Sequence, residues 1–124
     1  MIGAFALVAG EATLSPQHLD PKTVLAGNPS VSGKTLWTSP DGSQSVGIWQ
    51  ITEGTVTDVE QAELFVVVEG AAEVDLPSGE TLRLMPGVVG FFAGGEKTVW
   101  RTSQTLRKVY HLLGKAGAAE HQSP

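Results

Sequence analysis

Glu63 opens the apolar run Glu63-Leu-Phe-Val-Val-Val-Glu-Gly70, and a carboxylate on such a strand invites a chemical reading. Burial penalises its charged form, so it must be paired, hydrated or protonated. Period-two alternation puts Leu106, Lys108, Tyr110 and Leu112 on one face of the last strand. If that face is interior, an ammonium and a phenol approach Glu63. In the opposite register Val109, His111 and Leu113 line the interior instead. The structural reading of Glu63, an ion pair with Lys108 or a water-bridged group, outweighs that of a catalytic acid or base.

Trp100 shares a face with Thr98, and Trp49 lies on a separate strand. With Phe65 and Val67, these indoles can wall a pocket, since each offers area and one donor. Core packing explains Trp100 equally well and Trp49 better. Thr57 and Thr98 offer hydroxyls, or are ordinary strand residues. Glu60 reads as a loop charge and Glu69 as a solvated strand end. His18, His111 and His121 are too scattered to suggest a site. Nucleophile elbow, phosphate loop, H-E-x-x-H and dinucleotide patterns are all missing.

The elements that must position these residues are short strands. Fifteen glycines and seven prolines divide a 124-residue chain into runs rich in Val, Leu, Thr and Trp. Strands are expected at 34–39, 45–52, 55–57, 62–69, 71–76, 80–84, 88–92, 97–102 and 106–113. Turn chemistry at Pro40-Asp41-Gly42, Pro77-Ser78-Gly79, Pro86-Gly87 and Gly94-Gly95 agrees. One helical turn is expected at Ser15-Pro16-Gln17-His18-Leu19, with Ser15 as its cap. A further strand is expected over Ala4 to Val8. The resulting division is an N-terminal arm or strand at 1–23, a barrel at 24–113 and a mobile tail at 114–124.

Composition sets outer bounds. A chain of this length and 41% hydrophobic residues has enough apolar material for one core. The net charge of -5 argues against nucleic-acid and anionic-membrane partners. The absence of cysteine excludes disulfides and thiolate chemistry and fits a cytoplasmic location. The apolar start is far below membrane-spanning length. Along Glu63–Val68 neither face is polar, so the face turned away from the interior needs a cover. A homodimer packing sheet on sheet is the expected cover, and the chain's own N-terminal segment the alternative.

The order of these elements resembles the cupin superfamily, and more closely the small single-domain cupins grouped with (S)-ureidoglycine aminohydrolase and the ethanolamine-utilisation cupins. The resemblance covers about Val24 to Leu113. It rests on Leu25-Ala-Gly-Asn-Pro29, Thr38-Ser-Pro-Asp-Gly42, Val46-Gly-Ile-Trp49, the Glu63–Gly70 run, Pro86-Gly87, Ala93-Gly94 with Trp100, and Arg107-Lys-Val-Tyr110. It implies an all-β, single-domain jelly-roll barrel with Glu63 pointing inward.

In metal-binding cupins the first motif is G-x5-H-x-H-x3/4-E-x6-G. Here Glu63 and Gly70 match its end, while the histidine positions fall on Thr57 and Val59, or on Val56 and Asp58 with the longer spacer. The second motif maps onto Gly87, Ala93, Gly95, Thr98 and Thr102, which puts Thr98 at its histidine. Such a set is too poor for a transition metal. The expectation is a metal-free, cofactor-free cupin that binds a small polar metabolite through Phe65, Thr98, Trp100, Lys108, Tyr110, Trp49 and Thr57. The alternatives are a metal-independent isomerase, epimerase or amide hydrolase using Glu63, and a structural or interaction subunit.

Overall fold

The turn-forming residues divide the chain into nine antiparallel strands, which the computed structural model describes over residues 3–114. They are β1 (Ser15–Gln17), β2 (Val24–Gly27), β3 (Val31–Thr38), β4 (Ser45–Ile51), β5 (Gly54–Val59), β6 (Glu63–Asp75), β7 (Thr81–Leu84), β8 (Val89–Phe92) and β9 (Lys97–Leu112). The order β1-β3-β4-β9-β5-β2 runs along one path, and β6 pairs with β7, β8 and β9. This is the expected all-β cupin jelly roll.

β9 organises the fold. Its first half pairs with β5, its second half with β4, and β6 runs along its length. Period-two alternation then turns Thr98, Trp100, Leu106 and Lys108 inward, against Val56, Trp49, Phe65, Val67, Val74 and Phe92.

The sequence divides β6 at Gly70, and β9 at 103–105, into two strands each; both are continuous but bent. Gly70 has φ +86°, and a Cβ there would lie 2.0 Å from the Thr105 carbonyl oxygen. Register shifts cluster at this point, so glycine bends a paired strand here where a turn was expected. Gly90 serves a different purpose. Its Cβ would fall 2.1 Å from the Phe65 ring, so the ring packs directly on the β8 backbone.

Two N-terminal expectations fail. Ser15–Gln17 is an edge strand paired to Val31–Gly33, where Pro16, lacking an N–H, is tolerated. Helical turns fall instead at Ala9–Glu11 and at Pro21–Thr23; in the second the Asp20 side chain accepts from the Lys22 amide at 2.9 Å and Pro21 takes the first helical position. Ala4 to Val8 forms no strand and is exposed. The segment just beyond it is tied down by Arg107, whose Nη1 donates to the Ala9 and Ala12 carbonyls at 2.8 and 3.0 Å. A guanidinium therefore satisfies carbonyls there that a ladder would have used. The strand β2 was not anticipated. The tail expectation for 115–124 lies outside the described residues.

Candidate functional site

Lys108 and Glu63 meet inside the barrel. The Lys108 Nζ donates to Glu63 Oε2 at 2.6 Å, and the two side chains are 0% and 1% exposed. β6–β9 pairing sets Val67 opposite Lys108, and β4–β9 pairing sets Trp49 on its other side. Three rings therefore enclose the ammonium: Phe65, Trp49 and Trp100, with centroids 4.7, 4.8 and 5.3 Å from Nζ. A desolvated ammonium over aromatic faces gains cation–π attraction in addition to its carboxylate partner. The register question left by the sequence is resolved. Lys108 faces inward, while His111 is on the other face with Nε2 2.7 Å from Gln44 Oε1.

Next to this pair lies a second acidic group that sequence reasoning misplaced. Glu60 is no loop charge: it is 2% exposed. Its Oε2 accepts from Thr98 Oγ1 at 2.7 Å and from Trp100 Nε1 at 2.9 Å, and its Oε1 has no hydrogen-bond partner among the described residues. Backbone bonds from Glu60 N to the Glu96 carbonyl and from Gly95 N to the Glu60 carbonyl hold the loop in place. The available signal was alternation. Val56, Asp58 and Glu60 continue one period-two row past the end of β5. Burial pushes the Glu60 carboxyl up to about 7, against the opposing pull of Lys108.

Asp58 shares that row and pairs with Thr98 across β5–β9. Burial first, and the Glu60 charge second, push it up to about 8. Thr57 faces the other way, opposite Val99, with its hydroxyl 3.4 Å from the Thr23 carbonyl. Thr57 is thus not brought to the interior with the other predicted residues. Tyr110 is on the inner face but half-buried, lying so close to Gly47 that a Cβ there would fall 2.3 Å from its hydroxyl. Burial raises its pKa. Glu69 is exposed, as expected.

A cavity of about 470 Å³ lies over the β5–β9 end, lined by Asp58, Thr98, Thr57, Val59, Val99 and Lys97 among others. The closed interior and this open cavity are therefore separate. Glu63, Lys108, Phe65, Trp49 and Trp100 belong to the first, and Asp58, Thr98 and Thr57 border the second.

The inward row fixes the alignment that the sequence left open. Val56 and Asp58, with the longer spacer, occupy the positions where metal-binding cupins carry their first two histidines, while Thr98 and Glu63 occupy the other two. Val56 has no donor atom, the Thr98 hydroxyl is committed to Glu60, and Glu63 holds an ammonium. These residues do not fit a transition-metal centre. Among the described residues no group of three His, Cys, Asp or Glu is arranged to hold a metal ion.

Solved structures share this architecture. A protein of unknown function of the DUF861 family from Pseudomonas syringae pv. tomato superposes with a TM-score of 0.75 at 24% identity, over 82% of this chain and 45% of that one. The chain thus spans less than half of that relative. The EutQ protein of Clostridium difficile gives 0.63 at 21% identity, covering 75% and 69% of the two chains. Ectoine synthase from P. lautus gives 0.63 at 23%, covering 86% and 81%. At these identities the likeness concerns the fold alone. No curated protein matches the sequence. The EutQ-like cupin domain pattern matches residues 38–110, from the end of β3 to Tyr110 in β9, and the chain belongs to that cupin family.

Proposed function

We propose that this cupin binds a small polar metabolite without a metal, at the cavity bordered by Asp58 and Thr98. The observation that carries the reading is a cavity of about 470 Å³ over the β5–β9 end, with Thr57, Val59, Val99 and Lys97 on its wall. That volume suits a small ligand. Thr57 supplies a hydroxyl, Val59 and Val99 supply apolar walls, and Lys97 supplies a cation at the rim, while Asp58 and Thr98 border the cavity from the inward-facing row. A small molecule with an apolar body and a carboxylate turned toward Lys97 matches this distribution. Glu63 and Lys108 support the wall from behind as a self-satisfied pair.

Thermal-shift and calorimetric titrations with β-alanine, n-propylamine and propionate test the reading. β-Alanine and propionate are expected to stabilise the protein and n-propylamine to leave it unchanged, and Lys97→Met to weaken propionate binding at least tenfold, about 1.4 kcal/mol. No stabilisation by β-alanine or propionate, or binding unaffected by Lys97→Met, contradicts it.

A second reading, acid–base catalysis without a metal, is favoured by Glu60. Its carboxyl, pushed up to about 7, is in the range a general acid or base needs at neutral pH, and Thr98 links it to the cavity wall. On any substrate found, turnover that survives Glu60→Gln removes this reading.

The reading includes a homodimer. Leu64, Val89 and Phe91 point outward together and are 43, 66 and 56% exposed, with Val66 and Val109 in register beside them. The N-terminal segment reaches only the Arg107 and Glu69 end of that face. A second copy of the same apolar face gives a self-complementary cover. Light scattering is expected to give a dimer that Phe91→Glu converts to monomer; a monomeric wild-type protein contradicts it.

A further inference from the structure

The Glu63–Lys108 pair has a consequence for which cations this barrel can hold. Its carboxylate stands at the one metal-ligand position of the fold that the sequence retains. We propose that Lys108 is the barrel's resident cation, its ammonium taking the place beside Glu63 that a metal ion would otherwise fill.

The geometry supports this in three ways. Nζ is 2.6 Å from Glu63 Oε2, so it holds the carboxylate a metal would need. The remaining surroundings of Nζ are the Phe65, Trp49 and Trp100 rings, which attract an ammonium but offer no lone pair to a transition metal. The Lys108 charge also opposes the rise in both Glu60 and Asp58, as a central cation would. One positive charge thus faces three carboxyl groups from the middle of the barrel.

The cage is therefore selective for an ammonium. A divalent ion entering it would meet a positive charge, a Glu63 carboxylate committed to Lys108, a Glu60 carboxyl whose Oε2 is committed to Thr98 and Trp100, and aromatic walls. Losing the first two imidazoles and the third does not alone explain the absence of a metal centre; Lys108 excludes the ion independently.

Two measurements test this, and neither depends on the metabolite proposed above. In Lys108→Ala the missing Cγ-to-Nζ portion has the size of n-propylammonium. The melting temperature of this variant is expected to fall, and n-propylammonium chloride to restore at least half of the loss. Sodium and tetramethylammonium chloride at equal ionic strength are expected to restore none. The second measurement compares two variants carrying Val56→His, Asp58→His and Thr98→His, one with Lys108 intact and one with Lys108→Met added. Calorimetric titration with Ni²⁺ is expected to show at least a hundredfold tighter binding when Lys108 is replaced. Equal affinity in the two backgrounds, or n-propylammonium acting no differently from sodium, overturns the proposal. If Lys108→Ala does not fold, the nickel comparison decides alone.

Discussion

Two ion-pair systems on the same strands have opposite characters. Inside, Lys108 and Glu63 are sealed from solvent between β9 and β6. Outside, Arg101 on β9 contacts Glu73 and Asp75 on β6, and Arg83 on β7 contacts Glu73 again. The outer ladder has more charges and more contacts. Every member of it remains substantially exposed, with side chains 38 to 73% accessible. Water and salt screen it, so its side chains can part at little cost. The inner pair has no such alternative. Removing one charge there takes the opposite charge away from the other inside a buried, aromatic-walled interior. The number of contacts is therefore a poor guide to consequence, and desolvation is the better one.

The largest effect should come from breaking the inner pair on one side. Lys108→Met keeps the side-chain length but takes the ammonium away from the buried Glu63 carboxylate, and is expected to cost about 3–5 kcal/mol in chemical denaturation. Adding Glu63→Gln should recover much of this, because it removes the buried negative charge as well. Full additivity of the two single losses would show that the groups do not act as a unit.

An intermediate effect should come from pH. Asp58 and Glu60 have folded pKa values of about 8 and about 7, above their ordinary carboxylate values. The native state therefore holds more protons than the unfolded state between these limits. Stability from these two groups is complete below about pH 4 and is lost as pH rises through 7 and 8. Urea titrations from pH 5 to pH 9 should show this decline, and Asp58→Asn should flatten it. A stability that increases over that interval in the wild-type protein would contradict the placement of these carboxyls.

The smallest effect belongs to the outer ladder. Glu73→Gln removes the charge that both Arg83 and Arg101 contact, yet is expected to shift the melting temperature by less than a fifth of the Lys108→Met shift. The residual shift should vanish in high salt. A loss comparable to that of Lys108→Met would erase the distinction between the two systems.

Much of this arrangement could be read from the sequence. Glycine and proline punctuation located most strands of the barrel, because turns in a small jelly roll depend on those residues. Alternation placed Lys108 and Tyr110 on one face, and pairing Lys108 with Glu63 followed from the cost of burying a charge. The errors share a physical origin. Gly70 suggested an interruption because a positive φ has the same sequence signature in a turn and in a bulge. Ser15–Gln17 resembled a helix start because Pro16 suits both a first helical turn and a sheet edge. Glu60 was missed because it lies past the end of β5, where loop charges are usually solvated. Alternation continued from Val56 and Asp58 points it inward, and contacts with Glu96, Thr98 and Trp100 hold it there.

The most direct test of the account is elemental analysis of the wild-type protein after chelation and dialysis. With Glu63 held by Lys108, the protein should contain far less than one equivalent of manganese, iron, nickel or zinc, and adding these ions back should leave its melting temperature unchanged. A stoichiometric metal that persists through chelation would show that Glu63 and its neighbours still hold one, and would contradict the account.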